Sequence, residues 1–357
     1  DLPFPSMIAP NIPELAPIMR HSRAIQQTRL LVAATHHLNV FEQFSDGPRT
    51  LPELQQALGL KERAVMVLIP ALCAMGFLRR DAAGKFSLTD QGRYLTLGMD
   101  PNFLGYLQFM SEDPGVVEMA QRLRHDGPRE VPSQGTAYIK EGDGASPMDD
   151  PETARTLTLR LAGRAEHLSP LTANALPKGK KHLLDVAGGS GFYSYAWLLA
   201  NPEGTATVLD RPAVLKVAEE CLQKFCAKNP AAADIKQRVR FLGGDMLADE
   251  LPKTDILLAF SLFHDWPTET CEQLAKRFAA ALNPGGELWV HDEFLNEELD
   301  GPMDAIGYSA HLFWVTKGRI YSRGEHYNWL TQAGLKPSSL RVPTSMNYSL
   351  ISAKKDG

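Results

Sequence analysis

Cysteine is scarce in this chain. The four present, Cys73, Cys221, Cys226 and Cys271, form no CxxC pair and no metal-knuckle spacing. That scatter excludes a disulfide scaffold or zinc ribbon and suits free thiols in a reducing compartment, so a cytoplasmic location is expected. No apolar run is long enough to span a bilayer, and the proline-rich start lacks the basic-then-apolar pattern of a secretory leader. Charge of one sign is missing as well: 37 Lys and Arg stand against 42 Asp and Glu, a formal net charge of −5. Such a balance creates no broad field for nucleic acid or an anionic membrane.

What is present fits two domains in 357 residues. The expected division is a mostly helical winged-helix-like dimerisation domain over 1–98, connecting helices and a substrate lid over 99–176, and a cofactor-binding catalytic domain over 177–357. Apolar residues recur at helical spacing over 19–44. Thr50 is placed to cap a helix over 52–58, a second helix runs over 61–75, and 77–80 with 85–88 reads as a hairpin around Ala83-Gly84. This winged-helix pattern raises DNA binding as an alternative. Its second helix, however, reads Ala64-Val65-Met66-Val67-Leu68-Ile69, made for burial. Across 21–97 nine basic residues meet six acidic ones, a weak excess for a DNA reader. Helices are expected over 102–125 and 151–176, with a Gly-, Pro- and Ser-rich lid over 127–150 between them.

Beyond 176 the period changes. Strand-like runs at 181–187, 205–209, 239–242, 255–260, 287–290, 338–342 and 348–353 alternate with helical stretches at 192–199, 213–227, 269–282 and 323–333. The last two strand runs, with no helix between them, should pair antiparallel. The fold class expected is α/β: a Rossmann-like, seven-stranded, mostly parallel sheet with helices on both faces.

The first of these strands runs into Asp185-Val186-Ala187-Gly188-Gly189-Ser190-Gly191, a turn through which a backbone approaches a ligand closely. Asp210 ends the second strand, where a carboxylate takes the two hydroxyls of a ribose. Dinucleotide sites need GxGxxG, and bulky Phe192-Tyr193 would crowd a pyrophosphate. After the third strand comes Gly244-Asp245-Met246. Asp245 is placed to accept from an adenine amino group and Met246 to cover the ring, although each acid alone could simply cap a helix or close a turn. Ribose, adenine and a glycine turn without a diphosphate site point to S-adenosylmethionine. His264, just past the fourth strand, suits removal of a phenolic or enolic proton.

With these residues on the page, the chain resembles the class I S-adenosylmethionine-dependent O-methyltransferases of the acetylserotonin, caffeate and bacterial polyketide-tailoring type. The resemblance rests on Leu184 to Gly191, Leu209-Asp210-Arg211-Pro212, Gly244-Asp245-Met246, Phe263-His264-Asp265-Trp266-Pro267 and Asn283-Pro284-Gly285-Gly286, in family order. It implies a domain-swapped homodimer acting on a hydroxyl of an aromatic or polyketide-like small molecule. It also implies cofactor contacts from Gly188, Asp210, Asp245 and Met246, a set extended here to Asp185, Gly189, Arg211, Gly244 and Ser261. His264 takes the place of the family's general base, and an ungapped match puts Asp292 in the place of its orienting partner. His311 stands where many relatives carry a substrate-facing asparagine. Phe109 and Trp314, with Phe103, Tyr106 and Phe313, are expected to line the acceptor pocket.

Three departures stand out: Ala187 for the first glycine of the turn, Phe260 for a lysine of plant relatives, and Ile320 for a carboxylate that flanks the histidine. The alanine is a small change that the end of a strand should tolerate. One alternative follows from the third. His264, Asp265 and His311 could hold a divalent metal for C-methylation of an α-keto acid. A ligand-responsive winged-helix regulator is the other.

Overall fold

The helical periodicity near the start becomes α1 (Ala16–His36) and a 3-10 turn, Phe41–Phe44, in the computed structural model, which describes residues 12–127 and 145–357. Thr50 opens α2 (Leu51–Leu58) with a capping box. Its hydroxyl accepts from the Glu53 peptide N–H, and its own peptide N–H donates to the Glu53 carboxylate at 2.7 Å. Then come α3 (Glu62–Ala74) and the antiparallel hairpin of β1 (Leu78–Arg80) and β2 (Phe86–Leu88). Nine residues of α3 between Ala64 and Cys73 are buried, so this helix has no free face for a DNA groove.

After α4 (Asp90–Arg93), the helix expected over 102–125 is broken into α5 (Leu104–Gln108) and α6 (Pro114–His125). Asp113 causes the break. Its carboxylate accepts from the peptide N–H groups of Gly115 and Val116, and Pro114 suits the first position of a new helix. Most of the expected lid lies outside the described residues; its described end is a 3-10 turn, Pro147–Asp149, capped by Ser146. Asp150 caps the long α7 (Pro151–Ala175).

From there strands and helices alternate: β3 (His182–Val186), α8 (Phe192–Ala200), β4 (Thr205–Asp210), α9 (Pro212–Lys228), α10 (Ile235–Arg238), β5 (Val239–Gly243), β6 (Thr254–Phe260), α11 (Thr268–Ala281) and β7 (Leu282–Asp292). The chain ends through α12 (Met303–Val315), α13 (Arg323–Gln332), β8 (Lys336–Pro337), β9 (Val342–Pro343) and β10 (Ser349–Lys354). Seven strands follow the order β5-β4-β3-β6-β7-β10-β8, with β9 added against β10. The five from β3 to β7 run parallel, and β10 returns antiparallel to β7. Leu183, Ile256 and Leu258 bury one face with Trp197 and Phe225, while Leu184, Leu257 and Ala259 bury the other with Phe278 and Trp329.

Two expectations need correcting. The strand expected over 338–342 is absent; only the two-residue β8 and β9 flank it, and Pro337 and Pro343, which have no N–H to donate, close each of them. The helix α12 was not read at all. It is buried from Asp304 to Ala310 and again at Leu312 and Phe313, so it lacks the amphipathic stripe by which surface helices are recognised. Replacing Thr50 with Ala removes one side of the α2 capping box and should cost about 1 kcal/mol, read as a lower midpoint in chemical or thermal denaturation; an unchanged midpoint would show that the cap contributes nothing.

Candidate active site

Strand order reverses beside β3: the chain passes first to β4 and later returns to β6 on the other side. A crevice opens outside the carboxyl ends of strands at such a point. Here it is a cavity of about 450 Å³, walled by the turns after β3, β4, β5 and β6 and roofed by α1, α7 and α12.

At one end the turn after β3 reaches the wall. A Cβ on Gly188 would lie 2.7 Å from Val208 Cγ1 and 2.9 Å from Asp185 Cγ, so only glycine lets the backbone pass. Gly191, at φ +77°, starts α8. Ala187 departs from the expectation of easy tolerance: at φ +52° it sits in the left-handed region that disfavours a side chain, a strain on the order of 1 kcal/mol. The Asp210 carboxylate accepts the Gly189 peptide N–H at 2.9 Å and that of Arg211 at 2.7 Å, tying this turn to the end of β4. Burial pushes Asp210 up to about 6 despite those two donors. Asp185 lies deeper, accepts from the Ser194 hydroxyl at 2.8 Å and is pushed by burial to about 7.

Arg211 joins two carboxylates. It forms a two-pronged pair with Asp149 at 2.7 and 2.8 Å, and its Nη1 lies 3.5 Å from Asp245. The described end of the lid is thereby fastened to the cavity rim. The Leu247 peptide N–H donates to Asp245, so this acid also closes its turn, while Gly244 and Met246 line the cavity beside it. Ser261, at φ +50°, turns the chain after β6, and its buried hydroxyl has no partner among the described residues. Thr158 Oγ1 on α7 is in the same condition, and both residues line the cavity. Two unsatisfied hydroxyls, a glycine turn that a Cβ would block and an acid at a strand tip fit a nucleoside ligand with polar substituents.

At the other end stands His264, 3 % exposed, in a 3-10 turn. Its Nδ1 meets both Asp292 oxygens at 2.7 and 2.8 Å, which locks the ring across the ends of β6 and β7. Nε2 is 3.4 Å from the Tyr308 hydroxyl and 3.7 Å from Asp265. Burial opposes a charge on this imidazole. Asp292, with Tyr308 and Asp265 adding, outweighs it and raises the group to about 10. Gly318 backs the turn so closely that a Cβ there would lie 2.0 Å from the His264 carbonyl oxygen. Ile320, in the place of the family's carboxylate, is fully buried.

His311 lines the cavity from α12, and desolvation, with Arg23 and His264 nearby, holds it below its ordinary value. His264, Asp265 and His311 thus share one cavity, but among the described residues no group of three such side chains is arranged to hold a metal. The Nδ1 of His264 is bonded to Asp292, and Nε2 is the ring nitrogen left toward the cavity. Phe109 and Trp314 are not brought to the cavity. Phe109 is 77 % exposed on the outer surface, with Phe103 and Tyr106 exposed beside it. Trp314, although less than one turn from His311 on α12, is not among the residues that line the cavity. It packs under the Arg122 and Arg29 guanidinium groups. Phe313 is buried beneath Arg63.

Five residues at this end escaped the sequence reading. Arg23 on α1 pairs with Glu293 at 2.6 Å and stacks over the Tyr308 ring at 3.8 Å. Arg164 on α7 donates to the hydroxyls of Tyr308 at 3.1 Å and Tyr348 at 2.7 Å. The spacing Met19-Ser22-Arg23 could have suggested that α1 reaches the cavity, but nothing in sequence ties it to α12, nearly 300 residues away.

Comparisons with known proteins agree with this geometry. A family model for the O-methyltransferase domain matches residues 166–336. A solved O-methyltransferase family 2 protein from Planctomyces limnophilus, in complex with apigenin, is 34% identical, covers 96% of each chain and superposes with a TM-score of 0.83. The 3-hydroxy-5-methyl-1-naphthoate 3-O-methyltransferase of Streptomyces sahachiroi is 28% identical over 86% of each chain. Acetylserotonin O-methyltransferase of Mus musculus is 27% identical over 90% of this chain and 84% of its own length. The human N-acetylserotonin methyltransferase, solved with S-adenosylmethionine, shares the fold at a TM-score of 0.57 and 18% identity, covering 95% of this chain and 97% of its own. The chain belongs to the O-methyltransferase family and is an S-adenosylmethionine-dependent methyltransferase acting on a small molecule.

Proposed function

We propose that this enzyme methylates the hydroxyl of an aromatic acceptor, with His264 as general base and Asp292 as the group that orients it. The observation that carries this reading is the 2.7 Å contact between His264 Nδ1 and Asp292 at the closed end of the cavity, which leaves Nε2 as the nitrogen that faces inward. Relatives support the aromatic class: the naphthoate enzyme from Streptomyces sahachiroi, a tetracenomycin 8-O-methyltransferase from Streptomyces glaucescens that is 25% identical over 89% of this chain, and the apigenin complex.

Bound S-adenosylmethionine supplies an activated methyl group on a sulfonium. Asp210 is placed for its ribose hydroxyls, Asp245 and Met246 for its adenine, and Gly188, Gly189, Asp185 and Ser261 for the remainder. The chain must then align the acceptor oxygen and remove its proton. Holding reacting atoms in near-attack geometry is worth up to roughly 7–11 kcal/mol, and a positioned base adds on the order of 10²–10⁴-fold. At neutral pH the resting His264, raised to about 10, carries a proton. A cation beside it favours proton loss, so a bound sulfonium lowers the value toward the working range.

We also read 1–98 as a dimerisation domain joined through 99–176 to the catalytic domain over 177–357. Leu97, Phe103, Tyr106 and Phe109 present exposed apolar surface at that junction, suited to a second copy of the chain. No helix among the described residues is long and apolar enough to cross a membrane.

Four outcomes are expected. His264→Gln should lower kcat by about 10²–10⁴ and leave the Kd for S-adenosylhomocysteine within about twofold; unchanged turnover would remove His264 from the mechanism. In the wild type kcat should rise with pH, and Asp292→Asn should move the inflection down as well as lower the maximum. Ribose hydroxyls donate to ionised Asp210, so binding favours the deprotonated acid and releases a proton; calorimetric affinity for the cofactor should fall as pH drops below about 6, by up to tenfold per unit, and Asp210→Asn should abolish that dependence. In sedimentation, the wild type should be dimeric and Tyr106→Lys with Phe109→Lys monomeric; a monomeric wild type would overturn the pairing.

A further inference from the structure

Two arginines line the end of the cavity that holds His264. Arg164 reaches it from α7, and among the described residues its guanidinium is hydrogen-bonded to two phenol hydroxyls, those of Tyr308 and Tyr348. Among the described residues no carboxylate lies within 4.0 Å of it. Arg23, 5 % exposed, reaches the same cavity from α1. Its Nη1 is paired with Glu293, but its Nη2 is buried and has no partner among the described residues. Asp292 and Asp265 are turned toward His264, so Glu293 is the one acid paired with either arginine. A buried guanidinium with no carboxylate in contact is costly, and a buried donor without a partner is a place where a polar atom is missing.

Both guanidinium groups flank one phenol. Arg23 covers the face of Tyr308 at 3.8 Å, and Arg164 holds its hydroxyl at 3.1 Å. The same hydroxyl is 3.4 Å from His264 Nε2, so the Arg164 nitrogen lies within about two hydrogen-bond lengths of the nitrogen proposed to take the acceptor proton. From these contacts we infer that Arg164 and Arg23 form an anion subsite for the methyl acceptor, and that the acceptor is a hydroxyaryl compound bearing a carboxylate. This inference rests on the hydroxyl-methylation reading and deepens it. The carboxylate fixes the ring against α7 and α1 while the hydroxyl is presented to His264. A neutral phenol of the same shape leaves Arg164 without a carboxylate in contact and the Arg23 Nη2 donor unfilled, and such a mismatch discriminates more strongly than a difference in apolar bulk.

A carboxylate can come from two sources in this cavity, the acceptor or the amino-acid portion of the cofactor, and the test separates them. With protein saturated by S-adenosylhomocysteine, calorimetry compares 3-hydroxy-2-naphthoate with 2-naphthol, which differ only in the carboxylate. The wild type should bind the naphthoate at least about tenfold more tightly. Arg164→Gln should erase that preference, and Arg164→Lys should restore part of it, because a point charge replaces the fork. Arg23→Gln is made together with Glu293→Gln, so that no acid is stranded, and should reduce the preference independently. Equal binding of the two probes by the wild type, including no detectable binding of the naphthoate, overturns the subsite. So does a preference that survives in Arg164→Gln.

The cofactor arm compares S-adenosylhomocysteine with 5′-methylthioadenosine, which lacks the amino-acid portion. If Arg164→Gln weakens only the former, the guanidinium serves the cofactor and the inference fails. Methyl transfer to naphthol without charge preference would sink the anion subsite alone. Methylation on carbon instead of oxygen would sink the hydroxyl reading itself.

Discussion

The parallel pairing of β3 with β4 on one side and β6 on the other governs everything else in the catalytic half. Because strands that share a direction end at the same edge, one rim collects the glycine turn, Asp210, Asp245, Ser261 and His264, contributed by segments far apart in sequence. The reversal of strand order beside β3 then opens that rim into a crevice. None of these side chains needs an unusual fold of its own; each only has to stand at a strand tip.

Burial gives the rim its electrical character. Asp185, Asp210 and Asp265, which line the cavity, are raised by desolvation, to values between about 6 and about 7. Their ionised forms are held at a cost that a nearby positive charge repays, and under the proposed function a sulfonium is such a charge. On that reading, preorganised electrostatics would favour a charged reactant without later rearrangement. His264 belongs to the same system. Asp292 pulls it up, and the arriving cation pulls it down, so its basicity depends on which partners are present.

Much of this was legible in the sequence. Short runs of apolar residues announced the central strands, since a strand buried on both faces reads as a nearly continuous apolar run, and the turn motifs at their ends marked the rim in order. The pair His264 and Asp292 was legible as two positions one strand apart. What escaped the reading was set by packing between distant segments. α12 lacks a polar face, so no periodicity reveals it, and the place of Trp314 outside the cavity lining goes unread with it. Aromatic residues at 103, 106 and 109 look alike whether they line a pocket or cover an outer surface. Arg23 and Arg164 are ordinary helical arginines until Tyr308 brings them together. Ala187 looks harmless as a small residue, and only its backbone angle shows the strain.

Helix α12 has one further consequence. Its rear packs against α1 and α3, and its front supplies Tyr308, His311 and Val315 to the cavity. A change in cavity size cannot be made by sliding the helix, because a shift would open the N-terminal core. Along this wall the cavity is therefore reshaped by exchanging side chains on a fixed rod, with the joint between the two halves left intact.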